Sequence, residues 1–498
     1  MDRVYFLVSR KNLNNMKKIT LTFCVLFCVF IQAQPPSRFF NKYGGNGIDV
    51  GYSVKQTKDK QYVVAGSTSS YGAGNTDFYL IRIDSMGFVM WERTYGGFNN
   101  DVANSVIQLA DSGYAMAGFS NSFGNGGYDA VIIRTDKNGN QLWLKSFGGL
   151  DWDFGYGIVQ ISDGSLMMCG STASFGNGKI DGFVTKFSLA GDLLWEKYYG
   201  GTEDDELKAI INTKDNQIAC VGYTKSLGDL NGNGYFIKLN LNGDTIFTRN
   251  FGAKYKDYAT DLHQLKNDDY VIVGAKTFAI DSTKTHSYFA HYNSLGNFKH
   301  DSSFYHSTAN ENYVGVTVLK RDTFSVVYLR NVPVPNFAMQ GNVFIHHPSG
   351  FYFQVNSFGG SQDETFYSID ATADSGFVCV GTTKSFNAIN GDVIFYKIFI
   401  AKDSVIFRYD NIIGIKENPI EKAEIKLKNL DGNLYQIDLI SEKRRLLILT
   451  DLYGNVIYKR NIESKSELVE LSKYNIGVYI LTITSLNDPP CSFKLINR

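Results

Sequence analysis

The chain carries no net charge. Lysine plus arginine number 49 and aspartate plus glutamate 49, so the electrostatic footprint of a nucleic-acid binder is missing, and no basic stripe or RNA-binding motif replaces it. Outside the N-terminus no apolar run approaches the roughly 18 residues of a membrane span. No nucleophile elbow, phosphate-binding loop, dinucleotide fingerprint or His-Glu-x-x-His occurs. Their absence removes the simplest case for an enzyme and for a tightly bound cofactor. Proline is scarce, at 8 residues in 498, whereas glycine reaches 48, tyrosine 31 and phenylalanine 36. That balance favours many short strands joined by tight turns. The hydrophobic share of 44% and charged share of 20% describe a folding chain, not a disordered one. Its length exceeds one ordinary core, so a repeat architecture or several domains is expected.

What is present begins with a leader. In "MKKITLTFCVLFCVFIQAQ", Lys17 and Lys18 precede an apolar stretch from Ile19 to Ile31, and Ala33 stands at a small-residue cleavage point. Residues 1–33 therefore read as a secretory signal peptide, with Met16 as an alternative start. The mature chain is expected to have no transmembrane segment. Four cysteines remain after cleavage: Cys169, Cys220, Cys379 and Cys491. Three occupy the same strand of different repeats, places expected to lie far apart, so buried free thiols are predicted despite an export route that permits disulfides.

The strongest signal is internal repetition. "WERTYGG" (91–97) returns as "WLKSFGG" (143–149) and "WEKYYGG" (195–201). Counting from the first glycine of the pair, Gly44, Gly96, Gly148, Gly200 and Gly252 are each 52 residues apart. Less regular units open near His306 and at Gly359. Five residues past each regular anchor stands an acid: Asp49, Asp101, Asp153, Asp205 and Asp257, then Glu311 and Glu364 in the irregular units. Each unit holds four short β-branched and aromatic segments bounded by Gly, Asn and Asp, and no amphipathic helix. The pattern predicts an all-β fold: a seven-bladed β-propeller of four-stranded repeats over 34–410. Trp91, Trp143, Trp195 and Phe247 fall four residues after a turn glycine and are expected to dock between blades. This spacing resembles the tryptophan-docking motif of quinoprotein-type propellers. The resemblance covers the last strand of each repeat and implies the packing, not the quinone chemistry. Two segments, "RFFNKYGG" (38–45) and "VIFRYD" (405–410), compete to complete the last blade, with the N-terminal one favoured.

The rhythm stops near 410. Residues 411–419 read as a linker, and 420–498 as a small β-sandwich. The stretch from about 415 to 498 contains Asn418-Pro419 at its opening, "LTDLYGNVIYKR" (449–460) around Gly454, "GVYILTI" (477–483) with Gly477 and Tyr479, and the closing "SFKLINR" (492–498) with Lys494. It resembles the type A sorting domain of the Bacteroidetes type IX secretion system, although "KEN" precedes Pro419 where that family more often has an aromatic-Pro-Asn. The resemblance implies that the type IX machinery is a partner and that the cargo is released or held at the cell surface.

Candidate chemistry is thinner. The recurring acids suggest a carboxylate ring at the channel mouth or, more simply, turn caps. "DLNGNG" (229–234) spaces Asp229, Asn231 and Asn233 as calcium ligands, but the bidentate acid that would complete such a loop is missing. All seven histidines lie between 263 and 347 without a zinc spacing. Tyr71, Phe123 and Phe175 recur in one loop, where they would either stack on sugar rings or pin the loop. The expected protein is a monomeric, exported, non-catalytic propeller that binds a glycan or a protein. The alternatives are a polysaccharide hydrolase or lyase with its site in blades five and six, or a structural surface protein.

Overall fold

The computed structural model describes residues 38–399, apart from short stretches (230, 253–254, 279–280, 305–311, 319–325, 334–338, 347–351, 359–361 and 389), and from 425 to 497 the strands with a few residues beside them. Residues 1–37, where a leader is expected, residues 405–410, residues 411–419 with Asn418 and Pro419, Glu311 and Gly454 lie outside the described residues.

The described chain is strand throughout. β1 (Arg38–Tyr43) is followed by six sheets, each made of four consecutive antiparallel strands. The first holds β2 (Asp49–Gln56), β3 (Tyr62–Thr68), β4 (Asp77–Ile83) and β5 (Val89–Tyr95). The second holds β6 (Asp101–Gln108), β7 (Tyr114–Ser120), β8 (Asp129–Thr135) and β9 (Gln141–Phe147). The third holds β10 (Asp153–Gln160), β11 (Leu166–Thr172), β12 (Asp181–Phe187) and β13 (Leu193–Tyr199). The fourth holds β14 (Asp205–Asn212), β15 (Ile218–Thr224), β16 (Asn233–Leu239) and β17 (Thr245–Phe251). β18 (Tyr258–Gln264), β19 (Tyr270–Phe278), β20 (Asp281–Tyr292) and β21 (Phe298–Phe304) make the fifth; β22 (Asn312–Val318), β23 (Val326–Pro333), β24 (Met339–His346) and β25 (Tyr352–Phe358) make the sixth. The last repeat supplies only β26 (Glu364–Ala371), β27 (Gly376–Thr383) and β28 (Asp392–Phe399); β1 completes that sheet, in the order β1-β28-β27-β26. The repeats are thus six continuous blades and one composite.

The first strands of successive sheets neighbour one another in a closed circuit, β2-β6-β10-β14-β18-β22-β26 and back to β2. This is a β-propeller with an axial channel lined by those inner strands. The burial of each strand follows from its place. Second and third strands such as "YVVAGST" and "DFYLIRI" are buried along their whole length, because neighbouring blades cover both faces, and their text is accordingly continuous rather than alternating. Inner strands such as "DVANSVIQ" are half-buried and outer strands mostly exposed.

Repeated clasps hold the blades. Within a blade, the cation near the end of the third strand reaches the turn acid, as in Arg82–Asp59 (2.6 Å), Arg134–Asp111 (2.7 Å), Lys186–Asp163 (2.7 Å), Lys238–Asp215 (2.7 Å) and Lys397–Asp374 (2.8 Å). Between blades, a glutamine ending the inner strand accepts a backbone N–H from a neighbouring turn: Gln56 from Ala373, Gln108 from Lys58, Gln160 from Ala110 and Gln264 from Lys214. At the outer rim each docking aromatic covers the turn glycine of the next blade. A Cβ on Gly139 would fall 2.8 Å from the Trp91 ring, one on Gly191 3.1 Å from Trp143, and one on Gly243 3.0 Å from Trp195. Phe247 covers Gly296 in the same way, and Phe39 of β1 covers Gly87. Trp143 also donates its indole N–H to the Leu189 carbonyl at 3.1 Å. These rings are half-buried, less enclosed than a core aromatic.

Cys169 and Cys220 correct one expectation. They meet in a single buried cluster, and the Cys169 contact together with burial pushes the Cys220 thiol up. The two are 51 residues apart, not 52. This one-residue offset turns them to opposite faces of adjacent blades, so they face each other. Both are free thiols, as is Cys379.

Beyond 424 the strands form two antiparallel sheets. One has the order β29 (Ile425–Asp431), β30 (Leu434–Leu439), β33 (Ser466–Glu470). The other has β32 (Val456–Ile462), β31 (Arg445–Asp451), β34 (Gly477–Thr484), β35 (Cys491–Asn497). Gly477 and Tyr479 lie in β34 opposite Asn497 and Leu495, and Lys494 in β35 opposite Ile480.

Candidate functional site

The repeated acids are buried where the inner strands begin. Asp49, Asp101, Asp153, Asp205, Asp257 and Glu364 are fully buried. The first four accept the N–H of the second anchor glycine, from Gly45, Gly97, Gly149 and Gly201 at 2.8–2.9 Å. The same carboxylates accept the hydroxyls of Ser70, Ser122, Ser174 and Ser226. They therefore fasten the anchor to the next loop. Asp257 accepts the Thr277 N–H at 2.7 Å, and Glu364 the Thr383 hydroxyl at 2.8 Å.

A second buried ring of acids opens the third strands: Asp77, Asp129 and Asp181, with Asn233 in the fourth blade. Each faces the acid of the next repeat across an anchor glycine. A Cβ on Gly148, for example, would lie 2.2 Å from Asp129 Oδ1 and 2.6 Å from Asp153 Oδ2. Burial, then the neighbouring carboxylate, raises the pKa of Asp129 to about 6. In Asp77 and Asp181 burial is again the largest cause of an upward shift. Asn233 belongs to this ring. Its amide donates to the Leu227 and Asp229 carbonyls at 3.2 and 3.0 Å, a capping role. Among the described residues no three His, Cys, Asp or Glu side chains are grouped to hold a metal.

Each inner strand carries a β-bulge at one place, and the bulged residues make a belt around the channel: Tyr52, Asn104, Tyr156, Lys208, Thr260, Val314 and Tyr367. An extra residue re-aims a side chain out of the sheet register. Here the belt members touch across blade boundaries. The rings of Tyr52 and Tyr367 are 4.8 Å apart, Lys208 Nζ lies 3.7 Å over the Tyr156 ring, and Asn104 donates to the Gly155 carbonyl at 2.8 Å.

The two ends of the channel differ. Where the inner strands begin, Trp152, Phe154 and Tyr156 line a recess of about 330 Å³ with Asp151, Ser171, Ala173, Ile180 and Glu206. Trp152 is 61% exposed and is held edge-on by Tyr128 at 5.9 Å and Phe154 at 6.2 Å. Gly127 lets it sit there, since a Cβ would fall 2.3 Å from the indole. On the loop just before it Leu150 is 82% exposed, and its counterpart one repeat earlier, Phe98, 84%. Isolated surface apolar residues are ordinary; here three large ones, Phe98, Leu150 and Trp152, are exposed just before the inner strands of adjacent blades.

Where the inner strands end, charge converges. Lys55 of β2 reaches Asp370 of β26 at 3.3 Å, and Asp261 and His263 stand two residues apart on one face of β18. Asp261 accepts the Leu262 and Val316 N–H groups, both at 2.9 Å, yet burial raises its pKa to about 6. Burial, then Lys55, lowers His263 to about 4. Three other histidines are described in full. His286 is buried, and His291 and His300 stack on each other at 4.3 Å. His306 and His347 lie outside the described residues. Of the loop aromatics, Tyr71 donates to the Gly44 carbonyl at 3.1 Å and Phe175 packs between Phe147 and Tyr198, so both pin their loops.

Sequence reasoning missed the recess. Trp152, Phe154 and Tyr156 occupy positions that hold Asn100, Val102 and Asn104 one repeat earlier. The readable signal was that local excess of aromatics at every second residue in one repeat.

No family model matches the chain. The regulatory protein FlaEY of Caulobacter vibrioides is 26% identical over 260 residues, which span 45% of this chain and 26% of that protein; the match thus covers about a quarter of the relative's length. Among solved structures, the Pan2 WD40 domain of Neurospora crassa aligns with a TM-score of 0.42 and 10% identity, over 74% of this chain and 98% of that one. PorZ, a surface component of the type IX secretion system of Porphyromonas gingivalis, aligns with a TM-score of 0.42 and 9% identity, over 91% and 60%. An α-L-arabinanase of Penicillium chrysogenum aligns with a TM-score of 0.41 and 8% identity, over 72% and 97%. The fold itself rests on the closed circuit of sheets in this chain.

Proposed function

We propose that this chain is an exported, seven-bladed β-propeller that binds a glycan, without turning it over, in the recess formed by Trp152, Phe154 and Tyr156. The observation that carries this reading is the half-exposed Trp152 at the rim of an aromatic-walled cavity with polar groups at its edge. Sugar recognition needs that combination: a flat apolar face for the C–H side of the ring and oxygens for its hydroxyls. The chain from Gln34 onward, incubated with a panel of polysaccharides, is expected to bind at least one of them with no release of reducing ends. Trp152→Ala is expected to weaken that binding about ten-fold, the size of one aromatic stacking contact. Unchanged binding in this variant would move the site elsewhere.

Export is part of the proposal. Residues 1–33 act as the signal peptide and 420–498 as the type IX sorting domain, with Asn418, Pro419, Gly454, Gly477, Tyr479 and Lys494 as its motif. The support is the order of these motifs at the C-terminus of a chain with a leader. Deleting 412–498 is expected to retain the protein in the periplasm; arrival of the truncated protein in the medium would overturn the assignment. Calcium at Asp229, Asn231 and Asn233 would have to take Asn233 through its Oδ1, because its amide nitrogen already donates twice.

A second reading, a polysaccharide hydrolase or lyase, draws on Asp261 and His263 of β18. A neutral imidazole beside a carboxyl that titrates near 6 has the make-up of an acid–base pair. Release of reducing ends that is abolished by His263→Ala would favour it.

A further inference from the structure

The aromatic recess between β10 and β14 carries one unpaired charge. Asp151 stands exposed on its rim, while Glu206 on its wall is paired with Lys208. The nearby cations are already paired: Lys208 with Glu206, Lys179 with Glu203 at 2.8 Å and Lys225 with Asp204 at 2.6 Å. The Asp151 carboxylate has no ion-pair partner among the described residues. It adjoins Trp152, whose indole is held edge-on by its neighbours and left open on the outer side. An aromatic face beside a carboxylate attracts a cation through the ring quadrupole and the charge together. The molecule already contains one example, since Lys208 Nζ sits 3.7 Å over the Tyr156 ring at the inner end of the same recess.

Resting on the glycan reading, we infer that the sugar held against Trp152 carries a free amino group, as a deacetylated hexosamine does. The protonated amine lies between the indole face and the Asp151 carboxylate, and the ring hydroxyls meet Ser171 and Glu206. An N-acetyl group abolishes the charge and places a methyl against a carboxylate, so acetylated sugars are disfavoured. A recess of about 330 Å³ is at the lower end of small-ligand sites, enough for one or two sugar rings. The same ammonium chemistry is available from a choline-type head group, which the test separates.

The test is calorimetric titration of the chain from Gln34 with the glucosamine trimer, the N-acetylglucosamine trimer and choline, for the wild type, Asp151→Asn and Trp152→Ala. Thermal melts establish that both variants fold; the two residues are exposed, so their melts should match the wild type. The glucosamine trimer is expected to bind at least ten-fold tighter than its acetylated counterpart. That preference should disappear in Asp151→Asn, and all trimer binding should weaken in Trp152→Ala. Equal affinity for the two trimers, or an unchanged preference in Asp151→Asn, overturns the amino-group assignment and leaves the glycan reading standing. Binding of choline alone overturns the sugar. If neither trimer nor any polysaccharide binds, the glycan reading itself fails.

Discussion

The first four blades, β2 to β17, and the two that follow, β18 to β25, are built on one plan and keep it to different degrees. In the first group the place four residues after the turn glycine holds Trp91, Trp143, Trp195 and Phe247, each covering the glycine of the next blade. In the second group it holds His300 and Gln354, and His300 is exposed and stacked on His291. Loss of repeat text leaves loops free to evolve a site, and the hydrolase or lyase alternative puts its site there. The aromatic recess lies instead in the regular half. A strict repeat constrains only the positions that build the blade; those facing the channel and its rim remain free in every copy. Regularity marks the scaffold, and the informative deviation is a few residues, Trp152, Phe154 and Tyr156, in an otherwise faithful unit.

This contrast can be broken most forcefully at the docking ring. Trp143→Ala should destabilise the protein by about 2–3 kcal/mol, below the ~3–5 kcal/mol of a fully buried aromatic because the ring is half-buried. His300→Ala should cost less than about 0.5 kcal/mol, as exposed positions do. Equal effects in denaturant titrations would mean that the irregular blades are held by the same device.

The acid pairs sharpen it next. Asp129 titrates near 6 in the folded chain and near 3.9 when unfolded, so the folded state holds the proton more tightly. Its effect on stability is absent below about pH 4, grows more unfavourable as pH rises to 6, and is constant above. Asp261 acts in the same sense. His263, lowered to about 4, acts oppositely, losing stability as pH falls from about 6.5 to 4. The decisive readout is therefore a difference: the melting temperature of Asp129→Asn relative to wild type should rise between pH 4.5 and pH 7. A flat difference would remove the acid pair from the account.

The smallest effect belongs to the glutamine clasps. Gln108→Ala removes one inter-blade hydrogen bond to Lys58 and should cost about 1 kcal/mol, measurable as a shift in the denaturation midpoint without a change in slope.

Much of the scaffold was legible. The interval between anchors marked the repeat units, and "RFFNKY" announced an outer strand without a blade, which β1 supplies. Its Phe39 even takes the docking place. The bulge belt was not legible, because a bulge is a backbone event that leaves no residue type behind: Tyr52, Asn104 and Val314 share nothing but position. The second acid ring was overlooked because Asp77, Asp129 and Asp181 open their strands as ordinary turn residues would. The Cys169–Cys220 contact was misjudged because a 51-residue offset passed for 52, and in a strand one residue changes the face. The recess required knowing that Trp152 and Glu206, from adjacent units, share one rim.

The composite sheet also sets an order of events. β1 is the first strand of the ring and among the first to be synthesised, yet its partner β28 is made some 350 residues later, the separation of the Lys42–Asp392 contact. Until then β1 waits as an open edge. Closure of the ring therefore waits until the last blade has been made. An interrupted chain stays open, with its first strand still seeking a partner. The arrangement makes completeness of the protein a condition of its own stability.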